Sequence, residues 1–334
     1  GSEKFSSARR FAFFPSGAVG WTISNEKFMK VWEGWLDKLK VRFSYGKIGD
    51  DGGLSERWLY QTQWTYSGQM PLSQYFPTNS AQRSPYIMYN EKTVGNEDIH
   101  WETALKSNLG LEIAVLKNML SGNLEFFTED RTGILLTGSS RVVPAYFGTA
   151  APTGNVGRVT KNGYEFELRF NKNINDWYIW ADASMTHVVD KVMYKEEPEL
   201  KDLHLKAEGF QIDQTRSIIS TGFMQTWDDV YANAPSSSND AQKLPGNYFL
   251  LDFDADGVID PAKDTAPYGY SNRPQNAYNL SLGADYKGFS VMIQFYGVNN
   301  VTRLYSTVDF ESNKDIAYSY TLDLRVTFEC NAVR

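Results

Sequence analysis

Residues 109–127 limit what this chain can fold into, because apolar residues alternate with small or charged ones on both sides of a short polar turn. The turn is Lys117-Asn118, and the alternating apolar residues are Leu109, Leu111, Ile113, Val115, Leu120, Leu124 and Phe126. A period of two on both sides of a tight turn predicts an antiparallel β-hairpin. In a soluble sandwich the apolar face would point inward. In a membrane barrel that face would contact lipid, and Glu112 and Glu125 would face a wet lumen.

Similar strands recur along the chain, and the connections between them alternate between short and long. The predicted strands are 14–23, 40–47, 101–115, 120–131, 156–170, 177–188, 277–286, 289–298 and 316–328, with a helical turn expected at 26–29. Short turns fall near Lys117, Asn173 and Lys287, and long connections at 49–99, 133–155 and 190–275. Outer-membrane barrels sort their connections in this way, with short periplasmic turns and long extracellular loops. The sequence therefore predicts an all-β fold, a transmembrane antiparallel β-barrel.

The composition excludes several other classes of protein. The formal net charge is -7 and the sequence has no basic stripe, which argues against nucleic-acid binding. No run of residues approaches the ~18 apolar residues that a membrane-spanning helix needs. The single cysteine, Cys330, permits no internal disulfide.

Several blocks of the sequence resemble the SusC/RagA family of TonB-linked outer-membrane transporters. In chain order they read FFPSGAVGWTIS, WLDKLKVRFSYGKIGDD, WETALKSNLGLEIAVLKNMLSGNLEFFTEDRT, NVGRVTKNGYEFEL, DFDADGVID and YKGFSVMIQFYGV. They cover most of the chain, and the pattern departs from the family after Tyr305. The resemblance implies that residues 1–334 form the later, C-terminal part of a large barrel, with 22 strands as the relevant architecture, whose plug domain and earlier strands lie outside this chain.

The resemblance also implies a function and a set of partners. Such a protein would import oligosaccharides, or less often peptides, across the bacterial outer membrane. It would contact outer-membrane lipid, work with a SusD-like surface lipoprotein, and receive energy from TonB through the plug. It would bind no nucleic acid and would not be an enzyme. The alternative is a soluble, secreted, β-rich protein that binds or cleaves glycans, with Glu165 and Glu167 as its catalytic pair.

Residues 252–264, inside the long outer connection 190–275, have the spacing of a calcium-binding loop. Carboxylates at positions 1, 3, 5 and 9, a glycine at 6 and a backbone carbonyl at 7 match the EF-hand pattern. The predicted Ca²⁺ ligands are Asp252, Asp254, Asp256, the carbonyl of Val258, and Asp260. Position 12 is Lys263 instead of the usual glutamate, with Asp264 beside it. The alternative is an acidic surface turn that holds no metal.

Aromatic residues in the long connections are candidates for substrate binding, because sugars and peptides both stack on exposed aromatic rings. The candidates are Trp58, Tyr60, Trp64, Tyr66, Trp227 and Tyr231. The alternative is that these rings pack loop against loop or lie at the membrane interface.

No residue pattern in the sequence indicates catalysis. Glu165 and Glu167 lie two residues apart on one strand, which places them side by side instead of across a cleft, so a lumen wall is the better interpretation. The three histidines, His100, His187 and His204, lack the spacing of a zinc site.

Overall fold

A computed structural model describes residues 1–32, 34–53, 56–69, 87–138, 141, 148, 151–238 and 240–302. Its strands are β1 (Ser16–Thr22), β2 (Leu36–Asp50), β3 (Gln63–Gln69), β4 (Ile87–Thr93), β5 (Glu102–Val115), β6 (Leu120–Leu136), β7 (Gly154–Ile174), β8 (Trp177–Lys195), β9 (Gln214–Ile218), β10 (Ser220–Phe223), β11 (Tyr248–Leu250), β12 (Thr265–Ser271), β13 (Asn276–Tyr286) and β14 (Phe289–Asn299). One α-helix, α1 (Trp227–Ala232), and the short 3-10 helices Ile23–Asn25, Lys27–Trp32 and Asp240–Gln242 complete the described elements. The predicted strand 316–328 and Cys330 lie outside the described residues.

Eight of these strands form one antiparallel sheet in the order β1-β2-β5-β6-β7-β8-β13-β14. Each strand therefore pairs with the next one that belongs to the sheet, as in the up-and-down order of a barrel wall. The three remaining pairs, β3–β4, β9–β12 and β10–β11, are small two-stranded sheets within the long connections. Several sheet strands are much longer than the strands of a typical soluble protein; β7 has 21 residues and β8 has 19.

The connections are sorted by length onto opposite ends of the sheet, as the sequence predicts. The tight turns use left-handed backbone at Lys117 and Asn118 (φ 60° and 59°), at Asn175 (φ 53°) and at Lys287 (φ 43°). The β1–β2 connection, with its two 3-10 helices, lies at the same end. The connections 51–101, 137–153 and 196–275 lie at the opposite end, which is called the long-loop end below. The sequence predicts the β7–β8 turn near Asn173. In the structure the turn lies at Asn175, two residues later, because the β7–β8 ladder continues to Ile174.

The two faces of the sheet differ in chemistry. Val41, Leu111, Leu124 and Phe166 are directly opposite one another on successive strands, and they belong to the apolar face. Exposed residues of this face include Val19, Trp21, Phe43, Leu109, Leu111, Ile113, Phe126, Phe166, Leu280, Leu282, Ile293 and Phe295. The other side, called the polar face below, carries the row Lys40, Glu112, Asn123 and Glu167. An apolar face this broad needs lipid to cover it, as on the outside of a barrel.

The buried residues of the described structure lie mainly at the long-loop end. Phe5, Ile99 and Leu59 are almost completely buried and pack with Leu135, and Trp101 lies against them. This cluster joins the N-terminal segment and the β2–β5 connection to the end of β6. Three more buried residues, Met224, Ile259 and Ala266, lie within the connection 196–275. That connection therefore buries some of its own apolar side chains.

In the described residues, no helix combines the length and the apolar character needed to cross a lipid bilayer.

Candidate functional site

Charged side chains on the polar face form ion pairs across several strands. Glu112 on β5 lies 2.7 Å from Lys38 and 3.3 Å from Arg42, both on β2. Arg42 also forms an ion pair with Glu125 on β6. Glu125 accepts further hydrogen bonds from Asn108 (2.8 Å) and Asn123 (2.9 Å). The charges on this part of the wall are therefore largely balanced, and their side chains are held by more than one partner.

A second cluster of ion pairs lies on the polar face closer to the long loops. Glu129 on β6 contacts Lys106 (3.1 Å) and Arg131 (3.2 Å). The guanidinium of Arg131 also lies 3.6 Å from Glu102, whose other oxygen accepts the backbone N–H of Leu135 at 2.8 Å. Glu102 thereby ties the end of β5 to the end of β6, beneath the loop cluster.

Strand β7 carries the two carboxylates that the alternative enzyme hypothesis requires. Glu167 pairs with Arg169 at 3.2 Å, and Arg169 lies 3.7 Å from Asp182 on β8. Glu165 lies directly opposite Glu125 in the β6–β7 ladder and has no hydrogen-bond or ion-pair partner among the described residues. The two glutamates occupy the same face of one strand, so they do not face each other across a substrate cleft.

Glycines on the polar face make room for large side chains of the neighbouring strand. Gly163 on β7 lies beneath the ring of Phe127 on β6, and a Cβ at this glycine would lie 2.5 Å from the ring. Gly283 on β13 lies beneath the indole of Trp180 on β8 in the same way. These rings can lie over the adjacent strand because that strand has no side chain at that point.

The acidic loop brings three of its predicted metal ligands together. One carboxylate oxygen each from Asp252, Asp254 and Asp256 lies within 4.8 Å of the other two. Oδ1 of Asp252 is buried and has no hydrogen-bond partner in the described structure. Loss of hydration and the neighbouring charges of Asp256 and Asp264 raise the pKa of Asp254. Such crowded carboxylates repel one another unless a cation lies among them.

The other predicted ligands are placed differently. One oxygen of Asp260 accepts the backbone N–H of Ala262 at 2.9 Å, and Asp260 is not part of the group of three. The side chain of Val258 is exposed, and the adjacent Ile259 is completely buried. The Nζ atom of Lys263, which occupies the position of the usual glutamate, lies 2.6 Å from Asp256.

Asp264 closes the acidic loop. It is completely buried, and its two oxygens accept backbone N–H groups from Phe253 (2.7 Å), Asp254 (3.2 Å) and Asp260 (2.6 Å). Burial alone would raise the pKa of this carboxyl, but the three hydrogen bonds outweigh it and lower the pKa. His204 lies beside the loop, with Nε2 2.7 Å from the carbonyl oxygen of Lys263.

The six candidate aromatic residues lie in the long connections. Trp64 and Tyr66 share one face of β3 and are both exposed. Trp227 and Tyr231, also exposed, lie four residues apart on α1, so they share one face of that helix. Trp58 is exposed and Tyr60 half-buried. Within the described part of the chain, no two of these six rings are in contact.

Local sequence explains why α1 forms although it is short. The Thr226 hydroxyl accepts the backbone N–H of Asp229 at 3.2 Å, and the Asp229 carboxylate accepts the backbone N–H of Thr226 at 2.8 Å. This capping box stabilises the first turn of α1, which begins at Trp227.

Two contacts of charged side chains organise the long-loop end. Arg141 forms a two-pronged ion pair with Glu196 (2.5 Å and 3.0 Å) and donates to the Pro152 carbonyl at 2.6 Å. Glu197 accepts the backbone N–H of Ala207 at 2.7 Å and pairs with Lys201 at 2.8 Å. The residues of the first contact are far apart in sequence, so no local motif could have revealed it.

Comparisons with known proteins give the family. Residues 1–332 match the family model described as TonB dependent receptor-like, beta-barrel. TonB-dependent receptor P3 of Formosa agariphila is 26% identical over 308 residues, which cover 88% of this chain and 29% of that protein. TonB-dependent receptor SusC of Bacteroides thetaiotaomicron is 26% identical over 185 residues, which cover 54% of this chain and 17% of SusC.

Solved structures show the same fold. The RagAB peptide importer in its open-open state has a TM-score of 0.69 at 20% identity, over 90% of this chain and 30% of that chain. Its closed-closed state gives a TM-score of 0.68 at 19% identity. The chain spans 29% of the length of the first curated relatives that it matches. Its described sheet is thus part of a barrel wall, and the soluble, secreted alternative is wrong. The chain belongs to the TonB-dependent receptor-like β-barrel family, whose members are outer-membrane proteins and not enzymes.

Proposed function

We propose that the protein carrying this chain imports oligosaccharides or peptides across the bacterial outer membrane in a TonB-dependent manner. The observation that carries the proposal is a barrel-family sheet with one apolar and one polar face, matched to the family model over residues 1–332. The apolar face would contact lipid, while the ion-paired polar face would line an aqueous route. Because positive and negative charges alternate on this wall, the route would not select ligands by net charge.

Two partners follow from this proposal. A SusD-like surface lipoprotein would cover the long-loop end, and TonB would deliver energy through a plug domain. Support comes from the similarity to SusC and from the fold shared with the RagAB peptide importer. The folded connection 196–275, with its own buried residues, supports a surface that keeps its shape when a partner docks.

The exposed aromatic residues at the long-loop end would receive the substrate. Trp64 and Tyr66 present two rings on one face of β3, and Trp227 and Tyr231 present two on one face of α1. Pairs of rings with this spacing suit ligands that offer repeated flat or apolar surfaces, such as sugar rings or peptide side chains.

Uptake in living cells tests the proposed transport. Cells that produce the full-length protein are given fluorescently labelled oligosaccharide and peptide mixtures, with matched cells that lack TonB as the control. We expect uptake of one mixture to require both the protein and TonB. Equal uptake with and without TonB would contradict the proposal. Purification from the native membrane tests the partner, because a SusD-like lipoprotein should accompany the protein.

We also propose that the acidic loop binds Ca²⁺ through Asp252, Asp254, Asp256, the carbonyl of Val258 and Asp260. The close approach of the first three carboxylates and the unpartnered, buried Oδ1 of Asp252 support this assignment. In the described structure Lys263 partly neutralises Asp256, so a bound cation would have to compete with its ammonium group. Affinity should therefore be weak, on the order of the 10⁻⁴–10⁻³ M of extracellular calcium modules.

Calorimetry with CaCl₂ on protein treated with a chelator tests the metal. Asp254→Asn should abolish the calcium-dependent signal. Asp240→Asn removes another exposed acid from the same connection, one that pairs with Lys243, and should leave the signal unchanged. No calcium signal in the parent protein, or equal loss in both variants, would contradict the calcium proposal.

A further inference from the structure

The apolar face of β7 carries a charged side chain near the short-turn end of the sheet. Lys172 follows Leu168 and Phe170 at alternate positions, so it lies on the same face as they do. It is directly opposite Ile179 in the β7–β8 ladder. The side chain of Lys172 is exposed, as are those of Ile174 and Ile179 beside it. A charge among lipid-facing side chains is costly unless it reaches the membrane interface or an opposite charge.

No acid in the described structure pairs with Lys172. Its neighbour on β8 is an isoleucine, and on its other side lies the β5–β6 turn, where the Asn118 carbonyl accepts the side chain of Asn171 at 3.2 Å. Asp176, in the adjoining turn, pairs with Lys287 at 3.0 Å. The next acid along, Asp285, belongs to the polar side of β13. An anion for this ammonium group therefore has to come from outside the described protein.

The outer side of β7 and β8 faces lipid in the complete barrel. β7 has β6 on one side and β8 on the other, and β8 is followed by β13. Further strands that close a barrel are added at the edges of the sheet, and a plug fills the lumen. Neither covers the outer side of these central strands. The group that meets Lys172 therefore belongs to the membrane.

Two aromatic rings and a second lysine mark the level of the lipid headgroups. Trp177 lies opposite Ile174 on β7 and Tyr286 on β13, and the indole and phenol rings stack with their centroids 4.5 Å apart. The Nζ atom of Lys287 lies 5.3 Å from the centroid of the Tyr286 ring, which places this second cation beside the stacked pair. Tryptophan and tyrosine are enriched at the membrane–water interface, where their rings lie among the headgroups.

The position of Lys172 along its strand suits a headgroup contact. It lies two residues before the end of β7, which is about 7 Å along the strand at ~3.3 Å per residue. A lysine at this depth extends its apolar stem along the surface and holds its ammonium group at the interface. The headgroups of phospholipids carry a phosphate there, and phosphate oxygens accept charge-assisted hydrogen bonds from ammonium groups.

We propose that Lys172, Lys287, Trp177 and Tyr286 form a binding site for the headgroup of an anionic phospholipid. The short turns of outer-membrane barrels are periplasmic, so the lipid belongs to the periplasmic leaflet. Its phosphate pairs with Lys172, and Lys287 approaches the same headgroup from the β13–β14 turn. The acyl chains lie along the apolar face. An exposed ion pair such as that of Lys287 with Asp176 is weak, so a phosphate can compete for this lysine. The inference rests on the barrel family and not on the substrate that is imported.

Headgroup crosslinking in vesicles tests the site. The full-length protein is reconstituted into phosphatidylcholine vesicles with a small fraction of phosphatidylglycerol that carries a photoactivatable headgroup, or of phosphatidylcholine labelled in the same way. Mass spectrometry of peptides locates the crosslinks. We expect phosphatidylglycerol to label residues 172–179 more strongly than phosphatidylcholine does. Lys172→Gln should lower this excess about fivefold, since a basic residue near an anionic lipid surface contributes about 1 kcal/mol. Lys172→Arg should retain it.

Two matched variants separate the site from general effects of charge. Lys161→Gln makes the same charge change on the polar face of the same strand and should leave the crosslinking unchanged. Asp176→Asn removes the carboxylate that competes for Lys287 and should increase it. Equal labelling by the two lipids in the parent protein, or equal loss in Lys172→Gln and Lys161→Gln, would overturn the site. If these residues are not labelled and Lys172→Gln instead separates a complex of two copies on a native gel, the face is a protein interface and the lipid site is wrong.

Discussion

The ion pair between Arg42 and Glu125 passes over an intervening strand. Arg42 lies on β2 and Glu125 on β6, and between them the ladder places Gly110 of β5. A Cβ at Gly110 would lie 2.6 Å from Nε of Arg42, so this glycine provides the space that the guanidinium crosses. The three strands are thereby joined by side chains as well as by their backbone ladders.

Gly110→Ala should break this contact while leaving the fold intact. The added methyl displaces a flexible side chain, so we expect a loss of about 1 kcal/mol, as for a partly exposed ion pair. The measurement is the temperature at which the barrel loses its compact mobility on a gel. Gly122→Ala, where a Cβ finds only ordinary contacts of 3.4 Å or more, should change nothing. If Arg42→Gln and Gly110→Ala destabilise additively, the proposed link is wrong.

Ile113→Arg should destabilise the barrel in a membrane. Ile113 is exposed on the apolar face, two residues before the end of β5. An arginine on a lipid-facing strand costs about 2–4 kcal/mol at the bilayer midplane and less towards the strand ends, so we expect a loss below that range. Ser184→Arg places the same side chain on the polar face and should have little effect. Urea unfolding in lipid vesicles measures both variants. Equal destabilisation would mean that the apolar face does not contact lipid.

Acid should loosen the connection that follows β8 through Glu197. Burial would raise the pKa of this carboxyl, but hydrogen bonds from Lys201 and from the backbone N–H groups of Glu208 and Ala207 lower it below the ordinary 4.5. A folded-state pKa below the unfolded one means that the stabilisation is present above about pH 4.5 and is lost as the pH falls through the folded value. Limited proteolysis of residues 196–213 should therefore accelerate in acid.

Glu197→Gln is the matched variant for this effect. It should be cleaved faster than the parent at neutral pH, and its cleavage should depend less on pH. Asp228→Asn, at an acid on α1 in the same long connection, should leave the acid response unchanged. If the parent and Glu197→Gln respond identically to acid, Glu197 does not hold the connection.

Lys263→Glu should strengthen calcium binding. The substitution removes the ammonium group that contacts Asp256 and supplies the glutamate that calcium loops carry at position 12. Calorimetry with CaCl₂ should show at least a tenfold tighter Kd, corresponding to roughly 1.4 kcal/mol. Lys287→Glu makes the same charge change at the opposite end of the sheet and should not alter the Kd. Unchanged affinity in Lys263→Glu would argue against a cation among these carboxylates.

Trp227→Ala should weaken substrate capture without affecting barrel stability. The side chain of Trp227 is exposed, and α1 has no buried residues, so the substitution removes no core contact. Loss of one stacking ring should lower affinity by about 1–1.5 kcal/mol, roughly five- to tenfold. Phe289→Ala removes an exposed ring at the short-turn end and serves as the control. Equal effects of the two variants on substrate affinity would contradict a binding role for Trp227.

The sequence alone determined the strands, their order along the chain and the chemistry of each face. The alternation around Lys117-Asn118 predicts the β5–β6 hairpin, and the structure confirms it at Glu102–Val115 and Leu120–Leu136. This information is local, since a period of two assigns each side chain to a face before any partner strand is known. Some strands are longer than predicted. The apolar alternation predicts that β8 ends at residue 188, but β8 continues to Lys195 because residues of β7 still form ladder hydrogen bonds with it.

Only the tertiary structure decided which charges have partners. In the sequence, Glu125, Glu165 and Glu167 are equivalent, because each is an acid on the polar side of a strand with alternating residues. In the structure Glu125 pairs with Arg42, which lies two strands away, and Glu167 pairs with Arg169. Glu165 has no such partner among the described residues, and it lies next to Phe127 in the β6–β7 ladder. The same holds for Asp264, whose oxygens accept three backbone N–H groups, whereas the crowded carboxylates before it accept one each. The energy of a charge depends on the groups within a few ångströms of it, and folding brings those groups from distant parts of the chain.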